Sequence, residues 1–339
     1  MDTDRIVFPP PPMMFPPMEH PKPPVPYIPG WKFDAKSHTP PPPTLVARDC
    51  CINSESDRTE RQHMDPVDRC LKWPPLPGKE GDDTISLEII DILKGGDEHN
   101  SQVFTVQLSS STSPLPPRKG TKLVAKVYDP VYFDDDEGYL NQFACMDKYY
   151  THEANAYPVL RELQGHSIPK YYGSYSLYLP TDGEQTRTVR MILIEYISGT
   201  TLANADPKSF PQPVRQHIMK SIVDLESRIY EKDLLLLDVE PRNVIIRSPT
   251  SDQPHPQVVF FDFAHALFNR RRDDPIALKV NSFLGEYISP ILRWNERRDH
   301  AFPFSDWIDW DWDSWLGVEF AHTVAGITPE MRERWSDIY

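Results

Sequence analysis

Glycine is scarce in this chain, with 14 residues in 339 against 37 prolines. A phosphate-cradling loop needs repeated glycines, and the one candidate, KGGDEHNSQ, holds only Gly95 and Gly96 rather than a full G-x-G-x-x-G. That segment serves equally well as a hairpin turn. Cysteine is sparser still. Cys50, Cys51, Cys70 and Cys145 show no zinc-ligand spacing and no disulfide framework of a small secreted domain. No apolar run approaches the ~20 residues that span a bilayer, and the opening MDTDRIVFPPPP lacks a charged-then-apolar signal pattern. Positive charge is also short, 36 Lys and Arg against 50 Asp and Glu, for a net charge of −14. This excludes a broad electrostatic grip on nucleic acid or an anionic membrane, while a local basic pocket stays open. The expectation is an intracellular chain, cytoplasmic or nuclear, with neither nucleic acid nor membrane as a partner.

Proline is abundant, and about half of it falls in residues 1–78, as FPPPPMMFPP, HPKPPVPYIP and HTPPPPT. Proline removes backbone donors and fixes φ, so this stretch reads as a disordered tail of polyproline II character. It is either a solvated tail or a ligand for an aromatic-grooved peptide-binding domain. Trp31 and Trp73 are its bulky, isolated residues and could pack on the folded body. Beyond residue 79 the composition supports a packed core, with 39% hydrophobic residues over the chain.

The remaining segments take recognisable periods. ISLEIIDIL (85–93), VFTVQL (103–108) and TKLVAKVY (121–128) read as strands, as do HSIPKYYGSYSLYL and RMILIE (190–195). EANAYPVLRELQG, from Glu153, reads as an amphipathic helix with Glu153, Tyr157 and Leu160 on one face. Val214, Ile218, Ile222, Leu225 and Ile229 predict a long helix over 211–232. Two features need a reason. Lys126 stands in an apolar strand, either facing solvent at an edge or paired inside, since an unpaired buried ammonium is costly. Glu153 shares the core-facing stripe of its helix, or is an ordinary first-turn acid favoured by the helix dipole.

Residues 234–266 organise the rest: LLLLDVEPRNVII, a polar loop, then VVFFDFAHA. Residues 244–246 and 258–261 are too short for helices and predict a β-hairpin. Asp238 and Asn243 precede its first strand and Asp262 follows its second. Two carboxylates and a carboxamide at strand ends make a hard-oxygen cluster suited to Mg²⁺ and phosphates.

Here the chain resembles a known family. Asp238-Val-Glu-Pro-Arg-Asn243 is similar to the catalytic loop of protein kinases, and Asp262-Phe-Ala264 to their metal-binding Asp-Phe-Gly triplet. Val124-Ala-Lys126 resembles the strand that carries the phosphate-binding lysine, with Glu153 as its helix partner. The likeness is closest to the protein-kinase-like domains common in fungi, and covers about residues 120–264. It implies an α+β, two-lobed protein-kinase-like fold: an N-lobe of antiparallel sheet plus helix at about 79–195, a small, mainly helical C-lobe at about 198–339, and a disordered tail before them. It also implies ATP and Mg²⁺ as cofactors. Asp238 would be catalytic, Asn243 and Asp262 would hold the metal, and Lys126 and Glu153 would set the phosphates. The backbone at Glu195 and Ile197 would hold adenine, with Ile194 behind it.

The sequence departs from that family at named positions. Leu236-Leu237 replace the His-Arg before the catalytic aspartate, Glu240 stands where a lysine is common, and Ala264 replaces a glycine. A carboxylate at Glu240 would repel a γ-phosphate unless Arg242 turns inward or Glu240 points away. Asp134-Asp135-Asp136-Glu137 and Arg270-Arg271-Arg272 read as solvated turns, the latter alternatively as a contact for an anionic substrate. Trp307, Trp310, Trp312 and Trp315 read as core, and Thr328 as the N-cap of a closing helix. Three functions follow: an Mg-ATP-dependent phosphotransferase acting on a hydroxyl acceptor, a pseudokinase scaffold that binds nucleotide or a partner, or an adaptor that works through its proline tail.

Overall fold

Strict alternation of inward apolar and outward residues builds the first half of the molecule. The computed structural model describes residues 20–336 other than 48, 98, 114–116, 135–137, 248–254, 269–282 and 297–299. Six antiparallel strands, β1 (Lys32–Thr39), β2 (Lys79–Lys94), β3 (Gln102–Ser111), β4 (Lys122–Tyr128), β5 (Tyr171–Pro180) and β6 (Thr186–Glu195), close into a barrel in the order β1-β2-β3-β4-β6-β5. Ile85, Leu87 and Ile89 of β2, Phe104, Val106 and Leu108 of β3, and Leu123, Ala125 and Val127 of β4 fill its interior. With period two, Val124, Lys126 and Tyr128 of β4 must then face outward. Val124 and Tyr128 indeed join a second core, which includes the helix α3 (Gln142–Val159).

The two-lobed kinase-like expectation is overturned. The sheet is a closed six-stranded barrel, and its closing strand comes from the stretch assigned to a disordered tail. β1 pairs with β2 from Lys32↔Glu88 to Thr39↔Lys79 and with β5 at Lys36↔Ser176 to His38↔Ser174. Phe33 and Ala35 point into the barrel and are buried. Proline content misled because the prolines flank this strand rather than interrupt it. They are also held: Tyr132 Oη donates to Pro24 O (2.8 Å), Lys22 Nζ to Phe133 O (2.8 Å) and Asn155 Nδ2 to Pro41 O (2.9 Å). Tyr27, in HPKPPVPYIP, is buried and donates from Oη to Asp129 Oδ2 at 2.6 Å. Trp31 stacks on Phe33 at 4.8 Å. The run FPPPPMMFPP lies outside the described residues.

The second half is mixed α+β rather than mainly helical. The one long helix among its described residues is α4 (Gln212–Glu231), with Ile218, Ile222, Leu225 and Ile229 buried as their spacing predicts. The other helices described there, Pro290–Arg293, Trp312–Glu319 and Pro329–Ser336, are one or two turns long. Between them stand short strands: β7 (Thr200–Thr201), β8 (Leu234–Leu236), β9 (Val244–Arg247), β10 (Gln257–Phe260) and β11 (Ala266–Phe268). The predicted hairpin is β9 with β10, in register Val244↔Phe260 to Arg247↔Gln257. Trp307 and Trp312 are buried, Trp312 packs on Trp315 at 4.8 Å, and Thr328 Oγ1 accepts from Met331 N (3.2 Å). Asp135–Glu137 and Arg270-Arg271-Arg272 lie outside the described residues. No helix among those described is long and apolar enough to cross a membrane.

Barrel closure has a pH signature. His38 of β1 is buried, with Nδ1 2.6 Å from Tyr150 Oη. Burial, then the Arg190 guanidinium, push its pKa from 6.5 to about 4 against the weaker pull of Glu80. As pH falls the unfolded chain takes this proton first, so His38's contribution is complete above about 6.5 and is lost towards 4. The whole shift corresponds to roughly 3 kcal/mol at most. Asp147, which burial raises to about 6, slopes the opposite way over part of that window. Between pH 7 and 4.5 the stability of His38→Gln is therefore expected to fall less than that of wild type, or to rise, because the opposing slope of Asp147 is left alone. An unchanged slope would show that His38 titrates normally.

Candidate functional site

Lys126 reaches the site because β4 alternates. Its side chain leaves the barrel wall towards α3, and Nζ donates to Glu153 Oε2 at 2.6 Å and to Asp262 Oδ1 at 2.7 Å. Tyr128, two residues along the same face, donates from Oη to that Glu153 oxygen at 2.7 Å. Glu153 is fully buried on α3. The helix starts earlier than its sequence pattern shows, at Gln142. The Asn141 side chain caps it by accepting from Phe143 N and Ala144 N at 3.0 Å. Residues 142–152, the later part of the stretch between Lys126 and Glu153, are thus the front of the positioning helix.

Asp262 follows β10 with φ +67°, a left-handed conformation uncommon for a non-glycine residue. Its Oδ1 also accepts from Ala264 N at 3.3 Å, closing a local turn that aspartate tolerates. Phe263 is buried edge-on to Tyr157, with ring centroids 5.3 Å apart, and fixes the turn against α3. Backbone strain of this kind collects at functional sites.

The loop before β9 supplies the opposite wall. Asn243 Nδ2 donates to Asp238 Oδ2 (2.9 Å) and Asp238 O (3.1 Å), and Asn243 O accepts from Phe261 N (3.1 Å). That last bond ties the Asp238 loop to the Asp262 turn. Asp238, Glu240, Asn243, Asp262 and His265 line one narrow cleft. A larger cavity of about 450 Å³, bounded by His166, His217, Asp224, Arg228 and His255, lies against α4 and β10 and shares no residue with it.

Electrostatics set the protonation states. Burial opposes the charge on Lys126, but the carboxylates of Asp262 and Glu153 outweigh it and hold its pKa above the ordinary lysine value. Burial likewise opposes the Asp262 carboxylate. Lys126, the Ala264 N–H and His265 reverse that and leave its pKa low. For Glu153, the most enclosed of the three, burial wins and the pKa is raised. The trio therefore carries a charged lysine between two carboxylates, with Asp262 the firmly ionised one.

The sequence-predicted residues divide into two groups. Lys126, Glu153, Asp238, Asn243 and Asp262 come together around the cleft. Glu195 and Ile197 are not among the residues that line it: Glu195 ends β6, and Ile197 is buried just beyond. The Glu195 N–H donates to Lys170 O (2.8 Å), and its carboxylate accepts from Lys170 N (3.0 Å) and pairs with Arg247 at 3.4 Å, so its side chain is structural. Three residues, Lys94, His265 and Tyr128, went unread in the sequence. Lys94, at the end of β2, feels Asp262, Lys126, Arg242 and Asp238. Its desolvation, then repulsion from Lys126 and Arg242, lower its pKa against the pull of the carboxylates. His265 packs on Tyr149 at 4.8 Å, and burial lowers its pKa. Arg242 pairs with Asp238 and, at 3.5 Å, with Glu240. Only Tyr128 had a legible signal, its i+2 spacing from Lys126.

A scan against models of protein families finds no match for this chain, and no curated protein matches it.

Hard oxygen donors are present in Asp262 and Asn243, but among the described residues no three His, Cys, Asp or Glu side chains converge as a metal-binding group. Such a sparse set does not suit zinc or calcium. It fits Mg²⁺, which keeps several waters and is commonly held by one or two side chains together with substrate phosphates.

Proposed function

We propose that the chain is an Mg-ATP-dependent phosphotransferase that passes the γ-phosphate to a hydroxyl acceptor, on a barrel-based scaffold rather than a two-lobed one. One observation carries this reading: a buried lysine held at 2.6 and 2.7 Å between an enclosed glutamate and a strained, partly exposed aspartate. Packing alone gives no reason to keep such a trio, because a buried ion cluster stabilises a fold no better than an apolar one. Phosphoryl transfer needs positioning and charge neutralisation more than covalent chemistry. Lys126, oriented by Glu153, would bind phosphate oxygens, and Lys94 would add a second cation from the β2 end. Asp238 would accept a hydrogen bond from the attacking hydroxyl and steer it. Asp262 and Asn243 would hold Mg²⁺, which supplies neutralisation of charge on the phosphates. The backbone at Glu195 and Ile197 would receive the adenine.

A second reading, a nucleotide-binding scaffold without transfer, is favoured by the position of Arg242. That guanidinium pairs with the carboxylate proposed to steer the acceptor and with Glu240 beside it. The pairing also answers how Glu240 is tolerated near phosphates, since its charge is partly neutralised.

Melting with and without Mg-ATP tests both. Ligand at a hundredfold excess over Kd stabilises by about 2.7 kcal/mol. The expected result is an upward, magnesium-dependent shift in Tm that Asp262→Asn loses. With water as the acceptor hydroxyl, ADP and inorganic phosphate should also form, and Asp238→Asn should abolish this while keeping the shift. A shift with no ADP release selects the scaffold. No shift at millimolar Mg-ATP would overturn both.

A further inference from the structure

Three of the four cysteines gather at the start of α3, separated from the cleft by Tyr149, which packs on His265 at 4.8 Å. Residues 51–53 are clamped to 139–141 from both sides: Asn141 N donates to Cys51 O and Asn53 N to Tyr139 O, each at 2.8 Å. The Asn53 side chain adds bonds to Gly138 O (3.1 Å) and Leu140 O (2.7 Å). Cys51 thereby sits beside the N-cap of α3 and packs against the core cluster that contains Cys145, in the first turn of that helix. Cys50 Sγ is 3.7 Å from Cys51 Sγ, and the Cys145 thiol is within hydrogen-bonding reach of Cys51. Cys50 and Cys51 are half-buried and Cys145 is buried. A thiol that solvent can reach, next to a positive helix end and in hydrogen-bonding reach of a sheltered second thiol, is a reactive and resolving pair in outline.

We propose that Cys51 is a peroxide-reactive modification site and that Cys145 resolves it into a Cys51–Cys145 disulfide. The Cys51 thiolate attacks one oxygen of hydrogen peroxide, the O–O bond breaks, and Cys51 sulfenic acid and hydroxide form. The Cys145 thiol then attacks the Cys51 sulfur. The new S–S bond forms as the S–O bond breaks, and the hydroxyl leaves with the thiol proton as water. The two sulfurs give up two electrons, and the peroxide takes them. Supporting the thiolate, the Cys145 hydrogen bond, against desolvation and with help from Lys148 and Cys50, brings Cys51 from 9.0 to about 6. A cysteine that is largely thiolate at neutral pH reacts faster than an ordinary one. The product would pin the 50–53 segment to the helix that carries Glu153. The proposal does not depend on the cleft being a phosphotransferase.

The test uses the full chain, reduced and then exposed to a small excess of hydrogen peroxide at pH 7.4, followed by thiol counting in denaturant and peptide mapping without reductant. Expected are a fall from four free thiols to two and a Cys51–Cys145 linkage. In Cys145→Ala, Cys51 should stop at sulfenic acid and be trapped by dimedone. In Cys51→Ser the remaining thiols should react at least tenfold more slowly. Wild-type mapping requires no variant to fold, so it decides alone. Four thiols surviving, or Cys70 or Cys145 oxidised first, would overturn Cys51 as the site, and a Cys50–Cys51 linkage would overturn Cys145 as its resolving partner.

Discussion

Lys126→Met should lower the stability of the fold by about 3–5 kcal/mol, the usual result of removing one partner from a buried ion pair. It should also remove the Mg-ATP response. Glu153 suffers most from the change. Its side chain is 1% exposed, one carboxylate oxygen has no hydrogen-bond partner among the described residues, and the other would keep only Tyr128. Asp262 fares better because 29% of its side chain meets solvent. The variant can relieve Glu153 by protonating it. A carboxyl whose folded pKa lies above its unfolded value is most stabilising at low pH and loses that contribution as pH rises. The deficit of Lys126→Met relative to wild type should therefore grow from pH 5 to pH 8. Adding Glu153→Gln removes the stranded charge and should recover most of the stability and flatten that pH dependence, yet restore none of the nucleotide response. A double-mutant cycle by denaturant unfolding measures this. A cost near zero would mean the pair is not held as drawn, and a full nucleotide shift in the variant would mean the phosphates lie elsewhere.

What the sequence could show followed the range of each interaction. Lys126 was legible because a cation in an apolar strand demands a partner, and Glu153 because its stripe position offered one. Asp238, Asn243 and Asp262 were readable from spacing around a hairpin whose short apolar runs fixed its register. The 211–232 helix came from periodicity alone. Lys94 and His265 were not readable, since each gains meaning only from charges far away in the chain. Barrel closure was the larger failure. β1 holds only Phe33 and Ala35 as inward apolar residues, too weak an alternation to stand out among prolines, and its pairing with β5 spans well over a hundred residues. Composition describes an isolated stretch, whereas this stretch is stabilised by two neighbours that composition cannot see. Likewise the second half shows strand signals of only two to four residues beside one clear helix, so a kinase-like motif order suggested more helix than its described residues contain.

Deleting residues 1–40 should unfold the barrel rather than trim a tail. The deletion removes the strand that closes the sheet and leaves the facing edges of β2 and β5 unpaired, a state prone to aggregation. It also removes Tyr27, stacked on Phe104 at 5.6 Å, and Phe33, edge-on to the same ring at 6.3 Å. Each buried aromatic lost costs about 3–5 kcal/mol, and a whole domain holds only about 5–15 kcal/mol. Loss of Tyr27 further strips a hydrogen bond from Asp129, whose buried carboxylate then relies on Arg187 at 2.6 and 2.8 Å and on the Val131 N–H at 3.1 Å. The truncated chain should give no cooperative melt, and Phe33→Ala alone should lower Tm by many degrees. A synthetic peptide of residues 20–44 added in trans should restore cooperative melting, because strand and flanking prolines carry their own contacts to Phe133, Tyr132 and Asn155. A truncated chain melting at the wild-type temperature would show that the barrel closes without β1. The same physics changes how the proline-rich stretch is to be tested as a partner ligand. Cutting the chain at residue 78 would destroy the barrel along with any docking motif, so lost partner capture would say nothing about proline recognition. Substitutions confined to residues 8–17 keep β1 intact and ask that question alone.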